Sequence, residues 1–176
     1  SFRALHIGRS LHQPRLPSVT HNHYAGMMET VQRLMERGYR RIGFAILESR
    51  DRIQGYRWSA ALLALRERWP DRFASRPLFH PEEWDRGELI GWVKDERCDV
   101  VVSDELQLFA WLREAGLRVP DDVGFACPAF EEPGDVSGVL FDARAIGAHA
   151  VLQTHNLLTT GRARARPEAP GSDSRS

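Results

Sequence analysis

Several polar and aromatic side chains follow apolar segments, and these are the residues whose types are best suited to binding a ligand. An arginine offers a planar fork of donors, hydroxyl and carboxylate groups pair with vicinal hydroxyls, and an aromatic ring stacks on the face of a sugar. Taken one at a time, they could equally be a surface arginine, a core tryptophan or a helix N-cap. Together they predict a site for a polyhydroxylated small molecule, formed by Arg52, Trp84, Ser103, Asp104 and Phe130.

The motifs of common enzymes are missing from the sequence. No two glycines lie two positions apart, which excludes G-x-G-x-x-G, and neither G-x-x-x-x-G-K-[ST] nor G-x-S-x-G occurs. His21 and His23 form an H-x-H pair, but no H-E-x-x-H or C-x-x-C motif completes a set of metal ligands. We therefore expect loop or surface histidines here, and we predict no catalytic residue, metal or cofactor.

Composition places the chain among ordinary globular proteins. With 176 residues, 42% of them hydrophobic, it is long enough to bury a core without disulfides or a structural metal. Cys98 and Cys127 are far apart, which favours small buried residues of a reducing compartment over a disulfide. The longest apolar run, 60–65, is too short to cross a bilayer, and no export signal is visible. The expected location is the cytoplasm, without membrane contact.

Charge is unevenly distributed although the net charge is zero. Residues 1–57 hold ten arginines against four acids, whereas residues 58–135 hold nine basic residues against seventeen acids. No segment shows the clustered Lys and Arg with interleaved aromatics that a nucleic-acid groove requires. We therefore expect that this chain does not bind DNA by itself.

Short apolar runs alternate with segments of helical periodicity, which is typical of parallel α/β proteins. The clearest central strand is 99–103, because a continuous β-branched run suits burial on both faces of a sheet. The predicted fold is α/β, with a parallel sheet flanked by helices on both faces. The predicted strands are 19–22, 41–47, 77–80, 99–103, 122–127 and 138–141, and the predicted helices are 24–37, 52–69, 86–97, 105–115 and 143–160.

Five short motifs, in order and at the expected spacing, resemble the lactose-repressor (LacI/GalR) family of bacterial transcription regulators. Residues 19–26 and 38–43 (VTHNHYAG and GYRRIG) resemble that family's V..DN..G and GHRRIG segments. Residues 52–56 (RIQGY) resemble its R-x-x-G-F, and residues 100–104 (VVVSD) resemble its strand that ends in an N-D type pair. Residues 116–123 (GLRVPDDV) resemble its Gi.VP.DV. Residues 146–151 (IGAHAV) are similar to the start of its final helix. The matches extend from residue 19 to about residue 161.

The resemblance implies the effector-binding core of such a regulator, a Rossmann-like subdomain of the two-subdomain type 1 periplasmic-binding-protein fold. It further implies a homodimer, a small-molecule effector such as a sugar bound between two subdomains, and DNA binding only through an N-terminal helix-turn-helix outside these residues. By position, Arg52 matches the family's ligand arginine, Trp84 its stacking aromatic, and Ser103 and Asp104 its polar pair. Asn22 replaces the family's Asp, and the residues after Val123 lack its expected ligand-contacting carboxylate.

The same resemblance divides the chain. It implies that residues 1–23 are a remnant of the first subdomain and that residues 24–135 form the ligand-binding subdomain. Residues 136–161 are then the return strand and helix of the first subdomain. Residues 162–176 contain no large apolar residue, which predicts a disordered tail.

Two other functions stay open at this level. One is an exported sugar-binding protein of a transporter, which has the same fold but would require a signal peptide. The other is a phospho-receiver or small α/β enzyme that uses Asp104. That enzyme would need an acidic pair to hold Mg²⁺, and Glu48 with Asp51 imitates such a pair poorly.

Overall fold

A computed structural model describes residues 3–11, 13–73, 78–130 and 135–160, and these residues separate into two compact units. His21 to Asp142 form the larger unit, and the residues up to Thr20 together with those from Ala143 form the smaller one. The described strands are β1 (His6–Ile7), β2 (Ser18–Val19), β3 (Ile42–Ala45), β4 (Leu78–Phe79), β5 (Val100–Val102), β6 (Gly124–Phe130) and β7 (Ser137–Leu140). The described helices are α1 (His23–Glu36), α2 (Glu48–Ile53), α3 (Arg57–Arg68), α4 (Arg86–Asp95), α5 (Gln107–Glu114) and α6 (Ala143–Thr160).

The larger unit is built on a five-stranded parallel sheet in the order β4-β3-β5-β6-β7. Its central strand is β5, whose three valines are buried as a strand covered on both faces requires. One face packs against residues of α1 and α3, including Met27, Val31 and Leu65. The other face packs against α4 and α5 through Leu89, Val93, Leu108 and Leu112. The predicted parallel sheet with helices on both faces is confirmed.

Helix α1 begins and ends as its sequence requires. The Asn22 side chain accepts a hydrogen bond from the backbone N–H of Ala25 at 3.1 Å, which caps the first turn. Gly38 has a φ of +95° just beyond the last turn, in the left-handed region that glycine enters at little cost. Because Asn22 caps the helix, the strand expected at 19–22 is confined to β2.

The single helix expected over 52–69 is wrong, since the chain breaks there into α2 and α3. Gly55 and Tyr56 both have left-handed backbone angles, with φ of +68° and +56°. Two consecutive left-handed residues cannot continue a right-handed helix. The apolar spacing of Ile53, Tyr56 and Ala60 spans this break, which is why periodicity alone predicted one element.

Strand β6 continues three residues beyond its predicted end at Cys127. It passes through Pro128, and its register with β7 shifts between Cys127 and Phe130. Helix α1 lies so close to this strand that a Cβ on Gly26 would be 2.4 Å from the Pro128 carbonyl oxygen. The close approach fixes α1 over the end of the sheet that carries the candidate site.

The smaller unit contains β1 and β2, which pair in parallel, and α6, which contacts β2. The Arg3 guanidinium donates to the backbone carbonyl of Leu157. The larger unit extends to Asp142 and includes β7, which pairs with β6. The predicted tail, 162–176, lies outside the described residues.

Both cysteines are buried and free, as expected for small core residues. Burial raises the pKa of the Cys98 thiol to about 12 and that of Cys127 to about 11. Both thiols therefore stay protonated at neutral pH and are poor nucleophiles. None of the helices in the described parts of the chain combines the length and hydropathy needed to cross a membrane.

Candidate functional site

The order of the strands identifies one crevice in the larger unit. From β3 the chain moves to the edge strand β4 and then returns past β3 to form β5. The direction of strand succession therefore reverses between β3 and β5. In open α/β sheets, ligands bind beyond the carboxyl ends of the strands at such a reversal.

An ion pair spans this crevice. Arg50, on the helix that follows β3, donates from Nε at 3.1 Å and from Nη2 at 2.8 Å to Oδ2 of Asp104, which follows β5. The Asp104 side chain is 6% exposed, whereas that of Arg50 is 54% exposed. Burial raises the pKa of Asp104 and outweighs the opposing effect of the Arg50 charge. One carboxylate oxygen is thus occupied by Arg50.

Ser103 turns inward at the end of β5. The residue is fully buried, and its hydroxyl oxygen accepts a hydrogen bond from the backbone N–H of Glu105 at 3.1 Å. This bond closes the turn that leads into α5. Ser103 therefore shapes the loop that presents Asp104.

A second buried carboxylate, Asp51, organises the neighbouring loops. It is 0% exposed and accepts from the backbone N–H of Trp58 at 3.3 Å and from the hydroxyl of Ser59. Nε2 of His80, which follows β4, lies 3.9 Å from Asp51 Oδ2. One carboxylate therefore connects α2, the first turn of α3 and the segment after the edge strand.

The remaining predicted site residues lie at the same end of the sheet but have separate surroundings. Arg52 is exposed on α2. Trp84 is half-buried, with its ring centroid 6.2 Å from that of Phe79, and packs on the core beneath α4 and α5. Phe130 is half-buried in the last position of β6. Among the described residues, no hydrogen bond or ion pair joins these three side chains to Asp104.

Sequence reasoning missed Arg50 and Asp51 as site residues. It considered Asp51 as part of a poor acidic pair with Glu48, and it chose Arg52 because Arg52 carries the family resemblance. The pairing of Arg50 with Asp104 joins residues 54 positions apart. The only sequence signal for it was that each residue lies in the segment that comes after a buried strand.

The two histidines of the H-x-H pair lie in an aromatic cluster. The rings of His21 and His23 are 5.0 Å apart, His23 is 5.2 Å from Trp58, and His21 is 5.1 Å from Phe141. Burial lowers the pKa of His21, which favours the neutral ring at physiological pH. Within the described ranges, no group of three or more His, Cys, Asp or Glu side chains is arranged to hold a metal ion.

A cavity of about 580 Å³ lies at the other end of the sheet, beside the first residues of β5 and β6. Its walls include Tyr39, Phe109, Pro120 and Phe125. It contains none of the five predicted site residues, and it is remote from the strand ends where a parallel sheet binds ligands. We therefore place the candidate site at the crevice spanned by Arg50 and Asp104.

Comparison with known proteins agrees with the fold. Residues 31–172 match the family model of the periplasmic binding protein-like domain. No curated protein has significant sequence similarity to the chain.

Among solved structures, the transcription regulator CcpA of Lactococcus lactis has a TM-score of 0.69 at 14% identity, with 89% of this chain and 61% of that chain covered. A PurR family regulator from Vibrio parahaemolyticus has a TM-score of 0.63 at 17% identity, with 97% and 65% covered. A LacI family regulator from Lactobacillus casei with bound glucose has a TM-score of 0.61 at 17% identity, with 92% and 65% covered. The chain thus spans less than two thirds of each of these structures.

Proposed function

Since this chain belongs to the family of periplasmic-binding-protein-like domains, we propose that it is the effector-binding domain of a LacI-type transcriptional regulator. The fold it shares with CcpA, PurR-type and LacI-type regulators supports this proposal. In this function, effector binding shifts the domain between two conformations and so changes the DNA affinity of an attached domain. The chain itself acts as a sensor and not as an enzyme.

One observation carries the proposal. Within a single parallel sheet, the strand order reverses between β3 and β5, and charged residues follow both strands at that reversal. This is where α/β proteins bind small ligands.

The proposed effector is a polyhydroxylated molecule, a sugar in the simplest case. The LacI family regulator from Lactobacillus casei has bound glucose, which supports a sugar here by analogy. We assign its contacts to Arg52, Trp84, Asp104 and Phe130, while the buried Ser103 holds the loop that presents Asp104. Arg52 is exposed and makes no side-chain hydrogen bond or ion pair within the described ranges, so its donors are available to hydroxyls. The side chain of Arg50 offers further donors beside Asp104.

We further propose a cytoplasmic homodimer that contacts DNA only through an N-terminal helix-turn-helix. The coding sequence upstream of these residues tests this part directly. We expect it to encode a helix-turn-helix. A signal peptide there would instead favour an exported sugar-binding protein of a transporter.

Calorimetry tests the site. A thermal-shift screen of sugars and sugar derivatives identifies a ligand, and the affinity is then measured for the wild type, Arg52→Ala and the control Arg37→Ala, whose arginine is exposed at the other end of the sheet. Loss of an arginine that pairs with ligand hydroxyls should cost about 2 to 4 kcal/mol of binding free energy. The control should bind as the wild type does. Unchanged affinity in Arg52→Ala would remove Arg52 from the site.

A further inference from the structure

Four arginines that the proposed effector site does not use line one cavity at the amino end of the sheet. Arg40 and Arg41 directly precede β3, Arg72 follows α3, and Arg97 follows α4. The cavity has a volume of about 320 Å³. We refer to these four residues as the arginine cluster. It lies at the opposite end of β3 and β5 from the Arg50–Asp104 pair.

All four residues of the arginine cluster are exposed. In the part of the chain that the structure describes, none of the four side chains makes a hydrogen bond or an ion pair. The backbone is nevertheless fixed, because the N–H groups of Arg40 and Arg41 donate to the Asp99 carboxylate at 2.8 and 3.0 Å. Asp95 and Glu96 also line the cavity, and the Asp99 carboxylate lies beside Arg40 and Arg41, so the four arginines exceed these carboxylates by one. The remaining positive charge favours an anion.

Arg97 occupies a position where this protein otherwise uses glycine. It has a φ of +51°, in the left-handed region. After α4, the N–H of Arg97 donates to Lys94 O and the N–H of Cys98 donates to Val93 O. The same pair of bonds ends α1 at Gly38 and α5 at Gly116, which have φ of +95° and +82°.

An arginine at this position is therefore less favourable for the backbone than glycine would be. Residues held in sparsely populated backbone regions are found more often at functional sites. Arg97 is one of the four exposed arginines that line the cavity.

We propose that the arginine cluster binds the phosphoryl group of a small phosphorylated metabolite. Guanidinium forks match the oxygen geometry of phosphate and pair with it bidentately. The cavity volume lies at the lower end of the range for small-molecule pockets, which suits a sugar phosphate or a smaller anion. This site is separate from the proposed effector site and does not depend on it. Free inorganic phosphate shares the same chemistry, and the experiment distinguishes the two sources.

Calorimetry on the whole chain, at ionic strength held constant with sodium chloride, tests the site with inorganic phosphate and glucose 6-phosphate as probes. We expect saturable binding of one anion per chain. Arg72→Ala should weaken it by at least about fivefold, because a charge-assisted contact is lost. The control Arg37→Ala removes an exposed arginine outside the cavity and should change affinity by less than about twofold. Tighter binding of glucose 6-phosphate than of inorganic phosphate assigns the site to a phosphorylated metabolite. Equal affinities for the two probes assign it to free phosphate.

Arg97→Gly separates a binding role from a structural one. It should lower phosphate affinity by at least about fivefold. It should also raise Tm by about 1 to 3 °C, because the strained residue is relieved. Absence of saturable binding, wild-type affinity in Arg97→Gly, or equal weakening by Arg37→Ala would each overturn the proposal. Tighter binding of duplex DNA than of either probe would also overturn it and would identify a nucleic-acid surface.

Discussion

At the scale of single residues, the two carboxylates that follow strand ends have different environments and therefore different roles. Asp51 is fully enclosed by backbone and side-chain donors, so it stabilises the loops around the crevice. Asp104 has one oxygen held by Arg50, whose own side chain is about half exposed. A ligand in the crevice would therefore meet Arg50 and Asp104 as a unit. Its hydroxyls would accept from the Arg50 guanidinium and donate to the Asp104 carboxylate.

The pH dependence of stability should reveal the burial of Asp104. Its pKa is raised in the folded state, so the folded protein binds this proton more tightly than the unfolded chain does. The contribution of Asp104 to stability is therefore greatest below its ordinary pKa of 3.8 and is lost as pH rises above that value. Asp104→Asn removes this loss. Its stability relative to the wild type should increase as pH rises above 3.8, as measured by urea unfolding.

Asp122→Asn should show the opposite pH trend in stability relative to the wild type. Hydrogen bonds from Arg118 lower the pKa of Asp122 to about 2. Its contribution is present above pH 3.8 and is lost as pH falls towards 2. The stability of Asp122→Asn relative to the wild type should therefore decrease as pH rises. Parallel trends in the two variants would contradict the assigned environment of Asp104.

At the scale of elements, Asp51 connects α2 to the first turn of α3. Its carboxylate bonds to the backbone of Trp58 and the hydroxyl of Ser59, across the left-handed residues that separate α2 from α3. Asp51→Ala leaves a buried N–H unpaired and opens a cavity. It should lower the free energy of unfolding by about 2 to 4 kcal/mol. Urea denaturation measures this effect, with Glu67→Ala, an exposed acid on α3, as a control that should change stability by less than about 0.5 kcal/mol. A similar effect of both variants would exclude a special role for Asp51.

Most elements could be predicted because local sequence determines them. The valines of β5 have a β-branched pattern that fits only a buried strand, and Asn22 and Gly38 mark the two ends of α1. The break at Gly55 and Tyr56 could not be predicted. Apolar periodicity continues through it, and Tyr56 is not a residue type that marks a left-handed position.

The candidate site was less predictable than the fold. The ends of strands could be located, so the positions of Ser103 and Asp104 after β5 could be predicted. Which side chain meets which depends on the register between distant strands. Residues 42–44 of β3 pair with residues 100–102 of β5, and this register brings Arg50 to Asp104. No local sequence pattern predicts the contact between Arg50 and Asp104, so Arg50 was missed.

At the scale of the whole molecule, the two compact units differ in how much core they enclose. The larger unit packs helices on both faces of its sheet. The smaller unit has two short strands and α6, on which Val151 and Leu158 are 72% and 64% exposed. Exposed apolar side chains on one helix are unusual in a monomer when they form a contiguous patch. We therefore expect the smaller unit to be the less stable one.

Hydrogen exchange tests this difference with matched helices. Amides 27–34 of α1 lie in the larger unit and amides 146–157 of α6 in the smaller, so both report helical hydrogen bonds. In dilute protein, α6 should exchange at least about tenfold faster than α1, because local opening follows the stability of each cooperative unit. The amides of β5, paired on both sides by β3 and β6, should be among the slowest. If protection of α6 rises with protein concentration, a second copy covers its exposed residues. Equal protection of α1 and α6 in a demonstrated monomer would instead mean that the chain unfolds as one cooperative unit.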